Sequence, residues 1–139
     1  MRRLVLLCLV MSVCAATTLV AQDAVKVDPK HYTVVSENAQ VRVLKIHYGP
    51  HEKSVMHNHP NLVAVFLSDG KGKFTFPDGK TQDFTTTKGQ TMWADAGTHL
   101  PENTSDTPLD GILVELKGKG AVKPAGSMAK PAAKAPPKK

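Results

Sequence analysis

Residues 41–50 read VRVLKIHYGP. From Leu44 to Tyr48 apolar and polar side chains alternate, the period of a strand with one buried face, and Gly49-Pro50 closes the run. Working outward, the same grammar recurs. Leu62 to Leu67 is a continuous apolar run ended by Ser68-Asp69-Gly70. Lys73 to Phe76 leads into Pro77-Asp78-Gly79, a turn with glycine where positive φ is needed, and Thr81 to Thr86 returns as its partner. Thr91 to Ala94 and Leu109 to Lys117 complete the set. No long helical periodicity interrupts residues 26–117. Short strands at this regular spacing predict an all-β sandwich or barrel. A body of about 90 residues is small, so a second chain covering an exposed sheet face or edge, a homodimer, is expected.

The flanks read differently. Met1-Arg2-Arg3 precedes LVLLCLVMSVCAA (residues 4–16), and Leu19-Val20-Ala21 is an acceptable cleavage tripeptide. This predicts a secretory signal peptide over residues 1–21 and an exported protein, periplasmic or secreted. An uncleaved anchor is the alternative, because the apolar run is borderline against the roughly 20 residues of a span. Residues 118–139, GKGAVKPAGSMAKPAAKAPPKK, are Lys, Ala, Pro and Gly, and cannot bury enough apolar surface to offset ordering entropy. A disordered, solvated tail is expected, with electrostatic contact to an anionic envelope surface as the sharper reading. Residues 22–39 are left as an N-terminal extension of a domain over 40–117.

Charge and cysteine placement exclude several classes. The formal charge is +6. Arg2, Arg3 and six tail lysines hold that excess, so residues 22–118 carry ten Lys and Arg against twelve Asp and Glu, a net of −2. A mildly acidic body argues against a nucleic-acid surface, which needs clustered basic groups. Both cysteines, Cys8 and Cys14, lie in the leader, so the body has no disulfide framework, zinc finger or cysteine nucleophile.

The histidines carry the chemistry. His57-Asn58-His59 is an H-x-H pair, and on a strand positions i and i+2 face the same side. His99 follows about 40 residues later, in AGTHLPEN (residues 96–103). His51 reads as a loop residue after Gly49-Pro50, and His31 and His47 as incidental. Alone, an H-x-H is weak evidence and reads more readily as two surface or pocket-lining histidines than as a ligand pair.

The spacing resembles the cupin superfamily. Its first motif is matched by Gly49, His57-x-His59 and Gly70, with seven residues between Gly49 and His57 where about five are usual. Its second is matched by Gly89, Gly97, His99 and Asn103, with Asp95 where proline is usual and His99 one residue early. Glu102-Asn103-Thr104-Ser105-Asp106 and Val114-Glu115-Leu116-Lys117 are similar to the closing turn and strand of small single-domain cupins. The resemblance spans residues 40–117 and implies a double-stranded β-helix, the jelly-roll cupin barrel. It also implies a divalent metal (Zn, Fe, Cu, Ni or Mn) on His57, His59 and His99, with a small-molecule ligand in the barrel. The glutamate ligand of the family is missing, since Val63-Ala64-Val65 stands where it should fall. Three neutral imidazoles are similar to catalytic His₃ zinc sites and unlike the two-histidine, one-carboxylate iron triad. Three functions stay open: a metal-binding protein, with or without turnover, a non-catalytic binding or sensing module with a vestigial site, and a structural or adhesive protein with the barrel as a dimeric anchor and the tail as the contact. The resemblance selects no reaction. Glu102 and Asp95 flank His99 and read as solvated carboxylates. Trp93, Met92, Phe66, Phe74 and Phe76 read as core, while Lys53 and Ser54 receive no role.

Overall fold

The structure, a computed structural model, describes residues 22–118. The expected signal segment (1–21) and all but the first residue of the expected tail (118–139) lie outside the described residues. One short helix, α1 (Ala24–Val27), is followed by nine strands: β1 (Tyr32–Glu37), β2 (Val41–Tyr48), β3 (His57–His59), β4 (Leu62–Phe66), β5 (Gly70–Thr75), β6 (Thr81–Thr86), β7 (Thr91–Ala94), β8 (Gly97–Asn103) and β9 (Leu109–Leu116). They form two antiparallel sheets, ordered β1-β2-β9-β4-β7 and β3-β8-β5-β6. The fold is all-β, a double-stranded β-helix, as the sequence predicts.

Alternation dictates what faces inward. Leu44, Ile46 and Tyr48 of β2, Leu62, Ala64 and Phe66 of β4, and Leu109 and Leu113 of β9 are buried. They pack with Ala24, Tyr32 and Ala94 into one core. The β5–β6 hairpin turns at Gly79 with φ of 81°, and Asp78 Oδ1 accepts the Lys80 N–H at 3.0 Å.

Three strands depart from the sequence reading. Strand β5 begins at Gly70 instead of Lys73, and Gly72 pairs with Phe84 across the hairpin. A Cβ there would lie 2.2 Å from Phe84 Cζ across the hairpin. Strand β8 passes through Pro101, which sits beyond the end of β3, so no β3 carbonyl awaits its missing N–H. Its carbonyl instead accepts the Ser54 N–H at 2.9 Å. Residues 22–39, read as an extension, supply β1 to the edge of the five-stranded sheet. They also carry α1, which Asp23 caps by accepting the Val25 and Lys26 amides.

Candidate metal centre

Register brings the histidines together. His57 and His99 are direct cross-strand partners on β3 and β8, and His59 lies two residues along the same face as His57. All three are buried, and one ring nitrogen of each lies within 4.8 Å of the others. The His57 and His59 Nε2 atoms are 3.0 Å apart. Two imidazoles on one ion with bonds of about 2.0–2.1 Å stand about 3.3 Å apart at tetrahedral angles. Among the described residues, the three-histidine group contains no carboxylate ligand. Val63 pairs with Trp93 and Val114 and lies on the outward parity of β4.

For His57 and His59 the far side of the ring fixes the tautomer. His57 Nδ1 lies 2.8 Å from the Val55 carbonyl oxygen, which can only accept, so Nδ1 carries the proton. His59 Nδ1 lies 2.5 Å from Glu115 Oε1, deep in the barrel. Burial alone would raise the Glu115 pKa, but hydrogen bonds from His59 and Arg42 outweigh it and hold it below the usual carboxylate value. Glu115 is thus an ionised acceptor, and His59 Nδ1 carries the proton too. Both Nε2 atoms are left as lone-pair donors facing each other. Burial and the neighbouring His59 push the His57 pKa down to about 4, and burial with both neighbouring histidines pushes His99 well below its ordinary value. Near neutral pH His57 and His99 are therefore uncharged, and a cation is a natural partner for converging lone pairs. An imidazole with its second nitrogen on a carbonyl or carboxylate is the usual state of a metal-ligating histidine, so the residues fit a metal.

Behind His59 runs a charged chain. Glu115 Oε2 accepts from Arg42 Nε at 2.6 Å, and Arg42 reaches on to Asp23, the helix cap. Asp23 is itself held below its ordinary pKa, because the Arg42 hydrogen bond and charge outweigh its burial. Among the described residues no charged group backs His99. Its ring stacks on Phe74, with centroids 4.8 Å apart and planes at 27°.

Several side chains stand apart from their sequence reading. His31, read as incidental, is buried. Its Nδ1 lies 2.7 Å from Asp28 Oδ2 and its Nε2 3.1 Å from Glu52 Oε2, and the ring stacks on Tyr48 at 4.3 Å. Ser54 is also buried and donates to Asp28. The signal available in the sequence was spacing: Asp28 and His31 sit at i and i+3, beside a helix end. His47 and His51 do lie at the surface, paired with Asp110 and Asp106 at 2.8 Å each. Glu102 faces outward to Lys73 at 3.3 Å, and Asp95 accepts from the exposed Trp93 indole at 2.9 Å, so neither reaches the histidines.

Solved structures share this architecture. A cupin domain protein from Bordetella pertussis is 26% identical over 63% of this chain and 92% of its own, with a TM-score of 0.59. A conserved protein with a double-stranded β-helix domain from Klebsiella pneumoniae is 21% identical over 63% of this chain and 76% of its own, with a TM-score of 0.52. A protein from Bacillus halodurans is similar in fold at 16% identity and a TM-score of 0.53, covering 65% of this chain and 72% of its own. No family model and no curated protein matches the sequence.

Proposed function

We propose that this chain, a small single-domain cupin, is an exported protein that holds a divalent transition metal on His57, His59 and His99 and takes a small molecule in its barrel. One observation carries the reading: two buried imidazoles, each committed at Nδ1 to an acceptor, turn bare Nε2 atoms toward one another at 3.0 Å. Neutral nitrogen donors suit Zn, Fe(II), Cu, Ni or Co over Mg or Ca. When bound, such a metal supplies Lewis acidity toward an oxygen or sulfur donor. The chain's own part is to orient. Val55 and Glu115 fix two rings, Phe74 fixes the third, and the apolar wall around them limits entry of water. Export rests on residues 1–21, and contact with an anionic envelope surface on the basic residues 118–139.

Binding without turnover is the second reading. It is supported by the absence, among the described residues, of a free acid or base beside the histidines. Glu115 is already held by Arg42 and His59, and Glu102 by Lys73. Elemental analysis of protein purified from the exported fraction tests the proposal. Close to one metal per chain is expected, lost in a His57→Ala/His59→Ala double variant. A metal-free protein that takes up none of Zn, Fe, Cu, Ni, Co or Mn would leave only the vestigial site.

A further inference from the structure

Strand β3 carries two of the three histidines, yet it is three residues long and lies at the edge of its sheet, with β8 on one side and no strand on the other. Three residues held from one side are a weak support for two ligands. The open side is covered by residues 22–32. The Asn58 amide donates to the Gln22 carbonyl at 2.9 Å, and Asp23 bridges Asn58 in parallel register. Three further contacts tie the same segment to the two rings. Asp23 holds Arg42, which holds Glu115, which holds His59 Nδ1. Asp28 Oδ2 accepts from the Ser54 hydroxyl, and Ser54 Oγ lies 3.4 Å from His57 Nδ1. With its hydrogen committed to Asp28, that oxygen can only accept toward His57, which favours the Nδ1–H tautomer and leaves Nε2 bare. The Tyr32 ring stands edge-on to His57, with centroids 4.9 Å apart and planes at 71°, and 5.5 Å from His59. The segment is anchored independently of the histidines. Ala24 is buried in the core, the Asp28 amide closes α1 on the Ala24 carbonyl at 2.8 Å, and the Asp28 carbonyl accepts the His31 and Tyr32 amides.

We infer that residues 22–32 are a positioning strap for the histidine cluster, with Asp28 as the positioning residue for His57, so that metal binding and strap docking favour each other. The metal half rests on the reading above; the strap half rests on contacts within the chain. Linkage requires that the factor by which docking raises metal affinity equals the factor by which metal raises docking. The test uses full-length protein, Zn(II) and hydrogen exchange read by mass spectrometry. Zinc is expected to slow exchange in residues 22–32 at least about fivefold more than in β6, the other edge strand of the same sheet, which β5 separates from β8. Asp28→Ala leaves His31 Nε2 its Glu52 neighbour at 3.1 Å. It is expected to weaken zinc binding about tenfold in a chelator competition, the lower end of the loss for a partner behind a ligand. Should that variant not fold, Asp23→Asn, which keeps a good helix cap but weakens the hold on Arg42, is expected to lower zinc affinity and speed strap exchange in the same direction. Equal slowing of the two segments by zinc, or full zinc affinity in whichever variant folds, overturns the inference. If the unaltered protein binds no zinc, exchange of metal-free protein decides. Faster exchange of residues 55–60 in the variant supports the strap, and the metal reading alone falls; unchanged exchange there overturns the strap itself.

Discussion

His59 and His99 share one buried site, yet their supports are opposite in kind. His59 is backed by Glu115, then Arg42, then Asp23, a line of alternating charges running from the barrel interior to the cap of α1. His99 is backed by the face of Phe74. The carboxylate holds the His59 ring in one tautomer and one orientation. The phenyl ring only packs, and leaves His99 desolvated. One side of the site is tuned by electrostatics and the other by exclusion of water.

The largest effect should follow from cutting the charged side. Glu115→Ala leaves Arg42 with Asp23 alone and removes the acceptor from His59. Loss of one partner of a buried pair costs about 3–5 kcal/mol, toward the low end here because Arg42 keeps Asp23. Chemical denaturation of metal-free protein checks this. The shape-conserving Glu115→Gln should fold, yet bind Zn(II) about 10–100-fold more weakly in a chelator competition. Unchanged affinity in Glu115→Gln would erase the distinction between the two sides.

Glu115 also shows where the sequence is legible and where it is not. The alternation of Leu44, Ile46 and Tyr48, and the H-x-H on one strand face, follow from local periodicity, and the structure has both. Glu115 was in view only as part of a family-like strand. Its signal was present nonetheless, because Leu109, Gly111, Leu113 and Glu115 share the inward parity of β9, and a glutamate on that parity demands a buried partner. The partner, His59, is 56 positions away, and single-sequence periodicity does not encode which strands become neighbours. The same limit hid β1 and the burial of His31, whose partners Ile46 and Glu52 belong to other segments. Strand β8 was hidden for a different reason: Pro101 argues against a strand unless the neighbouring strand is known to have ended.

A pH titration of metal-free protein should rank next. With its folded pKa near 4, His57 refuses a proton that the unfolded chain accepts below about 6.5. Below that value the unfolded state binds more protons, so stability falls as pH drops from about 6.5 to 4, and His99 acts in the same direction. For His57 the change is at most about 3 kcal/mol, from 1.36 kcal/mol per pKa unit. A second loss should appear below pH 4.5, as Glu52 is protonated. The Lys30 hydrogen bond, with the Gly49 amide and His31, holds its pKa at about 2, so its contribution is present above the unfolded value and disappears as pH falls through 2. Zinc should deepen the first loss, because protons compete for the same Nε2 atoms. A metal-free protein equally stable at pH 7 and pH 4.5 would contradict the burial of neutral imidazoles.

The smallest effect belongs to the uncharged side. Phe74→Leu keeps an apolar residue against His99 but removes the stacked face. Aromatic pairing contributes about 0.5–1.5 kcal/mol beyond the area buried, so a stability loss of about 1 kcal/mol is expected, with the Phe84 stack at 4.4 Å lost as well. Zinc affinity should move by less than threefold, since neither the charge nor the protonation of any ligand has changed. Comparing Phe74→Leu with Glu115→Gln in the same competition assay separates packing from electrostatics at a single site. If the leucine variant loses as much affinity as the glutamine variant, ring position governs binding on both sides, and the carboxylate behind His59 acts as a spacer and not through its charge.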